Sequence, residues 1–174
     1  PLARVAHTKR WAYVGLGTAA SVLGGRLQKD FGADTFYLAL KAAPAAADSL
    51  LARLDTALYE GVVVGVHGYS QRPAAGFGMG PAIMPAWQAL HSRFPTVTVL
   101  MGNAYAARLF CEARNLIAAY QDDSISQAAV ADFMMGRFSA KGRLPVSVCG
   151  YKAGTGIAVS NMFSAGFGPQ WLVI

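Results

Sequence analysis

Charge is scarce in this 174-residue sequence: Asp, Glu, Lys and Arg together make up 14 %, against 54 % hydrophobic residues. That balance excludes a disordered chain, which would lack the apolar side chains to offset its ordering entropy. Cysteine is also sparse. Cys111 and Cys149 are the only two, far apart, and their apolar contexts favour buried free thiols over a disulfide or a nucleophile. No run approaches the roughly 18 consecutive apolar residues that would cross a bilayer, so no membrane partner is expected. No G-x-S-x-G nucleophile elbow occurs, and neither Ser70 nor Ser147 has a recognisable base partner. His7, His91 and Cys111 are too scattered to propose a metal site. The net charge of +6 comes from fifteen dispersed Lys and Arg residues with no run beyond Lys9-Arg10. Without aromatic and basic residues interleaved, it argues for solubility rather than for nucleic-acid binding.

What is present is an alternation of apolar strands and amphipathic helices. After a polar-basic lead-in over residues 1–9, Trp11-Ala12-Tyr13-Val14 reads as a first strand. Gly15-Leu16-Gly17-Thr18-Ala19-Ala20 follows where a strand turns into a helix, a G-x-G-x-x-A pattern suited to a dinucleotide loop. That motif wants an acidic residue closing the second strand, yet Thr35 to Leu40 is followed by Lys41-Ala42-Ala43-Pro44. Glycines for a tight turn are the better explanation, and no cofactor is expected. Asp48 to Tyr59 reads as a helix with Leu50, Leu51, Leu54 and Leu58 on one stripe. Gly61 to Gly65 is a central parallel strand, followed by a long glycine-rich loop over 66–80 and a helix from about Pro81 to Phe94. Pro95 to Met101 is a further strand, and Asn103 to Cys111 a short helix.

The densest pattern runs from Asn115 to Cys149. Leu116 to Tyr120 is a short buried strand, closed by Gln121, Asp122 and Asp123. Ser124 and Gln127 have capping-box spacing, and Ala129, Val130, Phe133, Met134 and Phe138 continue an apolar helix face. Lys141-Gly142-Arg143 is expected to end that helix, with Pro145 opening a last strand. Together these segments predict a flavodoxin-like, doubly wound α/β sheet of about six mostly parallel strands, with either direction open to the last. Residues 1–149 form the domain, and 150–174, glycine-rich and aperiodic, read as a linker or wrapping tail.

Tyr120, Asp122, Gln127, Ala129, Lys141, Gly142, Leu144, Pro145, Val146 and Ser147 resemble the C-terminal α/β-sandwich domain of glycoside hydrolase family 3. That domain commonly carries a Tyr-polar-acidic turn, a Q-x-A helix and a K-G-x-L-P-V-S segment. Gly102-Asn103-Ala104-Tyr105 is similar to the family's G-N-P-Y turn, with Ala in place of Pro. The resemblance is specific over 95–149, loose over 10–94 and absent after 150.

It implies an N-terminal (β/α)8 barrel on the same polypeptide, a β-linked saccharide substrate and a two-carboxylate mechanism. In the β-glucosidase type the acid/base glutamate lies on this second domain, after the third strand. Here 61–110 contains no Asp or Glu. The resemblance therefore points to the β-N-acetylglucosaminidase branch, in which the acid/base is a barrel-loop histidine and this domain is a non-catalytic accessory. The other possibility within the family is His67 itself as proton donor.

Ligands approach the carboxyl edge of such sheets. The candidate substrate-binding residues there are His67, Tyr69, Asn103 and Asp122; catalytic, cofactor and metal residues are expected to be none. Asp122, Asp123 and Asn103 also have an adequate job as helix caps. A free-standing nucleotide- or phosphate-binding module, or a pure interaction domain, is the alternative. The chain starts at Pro1 with neither Met nor a signal h-region, so a fragment of a longer polypeptide is expected. Its compartment is open, with periplasmic or secreted favoured by the resemblance.

Overall fold

A computed structural model describes residues 10–137 and 139–156, together with the backbone of 170–173. The lead-in 1–9 lies outside the described residues. Strands β1 (Arg10–Leu16), β2 (Asp34–Leu38), β3 (Tyr59–Val66), β4 (Thr96–Met101), β5 (Asn115–Ala119) and β6 (Gln170–Val173) form one sheet in the order β2-β1-β3-β4-β5-β6. Every neighbouring pair is parallel. This is the doubly wound architecture the alternation predicts.

Helices α1 (Val22–Phe31) and α5 (Ser124–Met134) cover one face, where Tyr13, Leu23, Leu27, Val63, Val99, Ile117, Val130 and Phe133 pack together. Helices α2 (Pro44–Ala52) and α4 (Ile83–Arg93) cover the other over Val14, Leu16, Val64, Trp87, Leu90 and Leu116, with the single turn α3 (Ala74–Phe77) between them in the chain. Burial on both faces explains why β3 and β4 read as unbroken apolar runs rather than as alternating ones. Trp87 is buried with its indole N–H on the Thr98 hydroxyl at 2.9 Å, so the core tryptophan leaves no donor orphaned.

Four elements depart from the sequence expectation. Helix α2 begins at Pro44 and stops at Ala52, because proline is well placed in a first turn and the Asp55 carboxylate builds a turn by accepting from Ala57 N–H. Residues Ala104–Leu109 form a 3-10 helix, capped by the Asn103 side chain on Tyr105 N–H. Helix α5 ends at Met134, because Gly136 takes a left-handed φ of 73°; Lys141-Gly142-Arg143 is not its end. Pro145–Ser147 does not make the last strand. A tight hairpin joins Val148 to Tyr151 through Cys149 and Gly150, both at positive φ, and the sixth strand comes from Gln170–Val173, within the segment read as tail. It is parallel, not antiparallel.

Cys111 and Cys149 are not free thiols: their sulfurs are bonded, closing 38 residues of chain. The bond ties the turn after the 3-10 helix to the Val148–Tyr151 hairpin. Sequence separation concealed a pairing that the parallel sheet makes local, with the two Cα atoms 5.2 Å apart.

Candidate functional site

Strand order reverses between β1 and β3, each leading out to a different side of the sheet. That switch point, beyond the carboxyl ends of the strands, is the usual ligand position in such folds. Here His67 fills it. His67 directly follows β3, its backbone N–H bonded to Leu16 O at 2.8 Å, and its side chain is 2 % exposed.

Both ring nitrogens are engaged. Nδ1 lies 2.8 Å from Asp122 Oδ1, and Nε2 lies 2.7 Å from the Tyr13 hydroxyl. An ionised carboxylate can only accept, so Nδ1 carries the hydrogen, and in the neutral ring Nε2 accepts from Tyr13. The Tyr13 oxygen in turn accepts from Ser21 Oγ at 2.9 Å, and Ser21 Oγ accepts from Gly24 N–H at 2.9 Å. One directional chain thus runs from the first turn of α1 through Ser21, Tyr13 and His67 to Asp122.

Asp122 is the hub of a second set of bonds. Its Oδ2 accepts from Gly68 N–H and its Oδ1 from Gln127 Nε2, each at 2.8 Å. Burial works to raise its pKa, but the bond from His67 and those from Gly68 and Gln127 outweigh it and hold the carboxylate below its ordinary value. Burial pushes the Tyr13 hydroxyl far above the ordinary phenol range, only partly offset by Ser21. Tyr13 therefore stays a neutral donor.

Gln127 does not close a capping box with Ser124. The N-cap of α5 is Asp123, accepting from Ser126 N–H at 2.7 Å, while Gln127 Oε1 crosses to α1 and accepts from Val22 N–H at 2.8 Å. A longer bond from Leu23 N–H reaches the same oxygen at 3.3 Å. The start of α1 is where a G-x-G-x-x-A loop would hold a pyrophosphate. Its opening N–H groups, those of Val22, Leu23 and Gly24, are already taken by Gln127 and Ser21, so these donors are not open to an incoming phosphate.

The loop after His67 is fixed tightly. Gly17, at φ 93°, touches the loop so closely that a Cβ would stand 2.1 Å from His67 O. Tyr69 is buried and meets Phe77 edge-on at 6.1 Å between centroids. Its hydroxyl makes a long 3.4 Å bond to Asn103 O, and Asn103 Nδ2 donates to Gln71 O at 2.6 Å. Between them, Ala75, Gly76, Phe77 and Gly78 all have φ between 49° and 68°, a left-handed turn in which two residues carry side chains.

The structure thus brings His67 and Asp122 into direct contact and pairs Tyr69 with Asn103 on the same sheet edge. Asp122 and Asn103 are the members of the four with solvent access. Tyr13, Ser21 and Gln127 belong to the network and were missed. No sequence signal marked them: the close packing of Gly24 and Gly65 on Tyr13, where a Cβ would stand within 2.6 Å of its ring or hydroxyl, is visible only in the fold. Among the described residues no group of three His, Cys, Asp or Glu could hold a metal ion.

The site and sheet define an α/β domain of doubly wound type. No family model and no curated protein sequence matches the chain. Among solved structures, the chain is similar to one described as "A unique GCN5-related glucosamine N-acetyltransferase region exist in the fungal multi-domain GH3 beta-N-acetylglucosaminidase". The likeness has a TM-score of 0.58 and 14 % identity, and covers 90 % of this chain but 17 % of that one. At that identity it shows the fold, and it shows this fold as a part of a much longer polypeptide.

Proposed function

We propose that this chain is a non-catalytic accessory domain of a family 3 glycoside hydrolase, of β-N-acetylglucosaminidase or β-glucosidase type. In that role it buttresses a (β/α)8 barrel of the same polypeptide and forms one wall of the cleft for a β-linked saccharide. His67, Tyr69, Asn103 and Asp122 shape that wall, chiefly by fixing the loop 66–80.

One observation carries this reading. The carboxyl-edge loop has no carboxylate of its own, and its histidine is buried with both nitrogens satisfied inside the domain. A proton donor must reach the leaving oxygen, and nothing on this loop is free to do so. The motif resemblance over 95–149 and the occurrence of the fold within a multi-domain family 3 chain support the same reading. Exposed Val22, Tyr105, Tyr120 and Ile125 at the same end of the sheet suit contact with a neighbouring domain. The disulfide suits a periplasmic or secreted parent.

The test is the whole coding polypeptide. It is expected to hydrolyse an aryl β-N-acetylglucosaminide or aryl β-glucoside, with His67→Gln leaving the pH profile of kcat in place. Movement of a limb of that profile would make His67 the proton donor and overturn the accessory reading.

A further inference from the structure

A second recess lies at the opposite end of the strands, between the α4–β4 turn and the start of β5. It encloses about 430 Å³ and is lined by residues 91–96 together with Arg114 and Asn115. Asn115 is 2 % exposed, and its Oδ1 has no hydrogen-bond partner among the described residues. Its Nδ2 reaches only Thr96 O, at 3.5 Å. A buried amide oxygen with nothing to accept carries a desolvation penalty, and a donor in the recess would relieve it once a small shift of the wall uncovered the oxygen.

The two charged residues of the lining, Arg93 and Arg114, are both cations. Arg93 is held by Leu51 O and Leu54 O at 3.1 and 2.6 Å, which fixes its charge beside the recess. Arg114 is exposed and has no hydrogen-bond or ion-pair partner among the described residues. His91 stacks on Trp87 at 5.0 Å. Burial, and then the charge of Arg114, hold its pKa below the ordinary imidazole value, against an opposing pull from Glu112. An ammonium ligand would be repelled here, and a purely anionic one would leave Asn115 unanswered.

We infer that this recess binds a small oxyanion that also carries hydroxyl groups, its charge against Arg114 and one hydroxyl donating to Asn115 Oδ1. The volume holds a hexose-sized ligand. The recess is separate from the His67 edge, and the inference stands whether or not the accessory reading does.

Glucose 6-phosphate is the probe, with glucose and inorganic phosphate as controls, followed by thermal shift and amide NMR on the full chain. The expected result is saturable stabilisation by glucose 6-phosphate that neither control reproduces, weakened about two- to fivefold in Arg114→Ser, where one exposed charge contact is lost. Asn115→Leu, which removes the orphan acceptor, is expected to raise Tm while abolishing the response. No saturable response at millimolar probe, or one unchanged by Arg114→Ser, overturns the inference. So does a fall in Tm for Asn115→Leu, since the amide would then be satisfied without a ligand.

Discussion

His67 Nδ1 and Asp122 Oδ1 stand 2.8 Å apart, joining the residue after β3 to the turn after β5 across the intervening strand β4. Asp122 is depressed below its ordinary value in the folded chain, so its contribution to stability is present above the unfolded carboxylate pKa of about 3.9 and is lost as pH falls through the lower folded value. Asp122→Asn is expected to cost about 2–3 kcal/mol at neutral pH. It should also flatten the acid limb of stability. Urea unfolding from pH 7 down to pH 3 checks both; an unchanged acid limb would remove Asp122 from the network.

Gln127 satisfies the opening N–H groups of α1 from a different helix, with Val22 N–H at 2.8 Å. Gln127→Leu keeps the size but strands those donors and one Asp122 bond, so a loss of about 1–3 kcal/mol is expected. Amide exchange should speed up at Val22 and Leu23 before the rest of α1. Uniform exchange across the helix would contradict the capping role.

Two small substitutions should move stability in opposite directions. In Gly65→Ala the new methyl would sit 2.4 Å from the Tyr13 hydroxyl and 2.6 Å from His67 Nε2, costing about 1–3 kcal/mol by overpacking. Ala75 holds a left-handed φ of 49°, so Ala75→Gly should stabilise by about 0.5–1 kcal/mol once the entropy of the unfolded glycine is counted. Denaturation midpoints of the two variants read the difference directly.

The Cys111–Cys149 bond closes 38 residues, for which chain-entropy scaling gives about 4 kcal/mol. The double variant Cys111→Ser with Cys149→Ser should lose stability of that order. Thiol titration of the unfolded, unreduced chain should find none, and two after reduction, matching the two cysteines of the sequence. Two thiols before reduction would restore the free-cysteine reading.

The sheet was legible because both of its faces are buried, so strands and helices announce themselves by unbroken apolar runs and by stripes. What could not be read was mostly long-range. Gln127 has a perfectly good local partner in Ser124 by spacing, yet it bonds 105 residues away. Cys111 and Cys149 meet through a hairpin whose turn chemistry lies in Cys149 itself, a residue with no preference for positive φ. Gln170–Val173 pairs with β5 although its segment is too glycine-rich to show a strand period. Of the candidate site, only the carboxyl-edge position of His67, Tyr69, Asn103 and Asp122 was legible in the strand pattern. That His67 is enclosed between Tyr13 and Asp122 follows only from three dimensions.

The central claim is that this domain carries no proton donor for glycoside cleavage. Incubating the isolated chain with p-nitrophenyl N-acetyl-β-glucosaminide across pH 4–8 tests it most directly. The account predicts p-nitrophenol release no faster than in buffer at every pH. Saturable release that disappears in His67→Ala would contradict it, and would make the buried histidine a catalytic group.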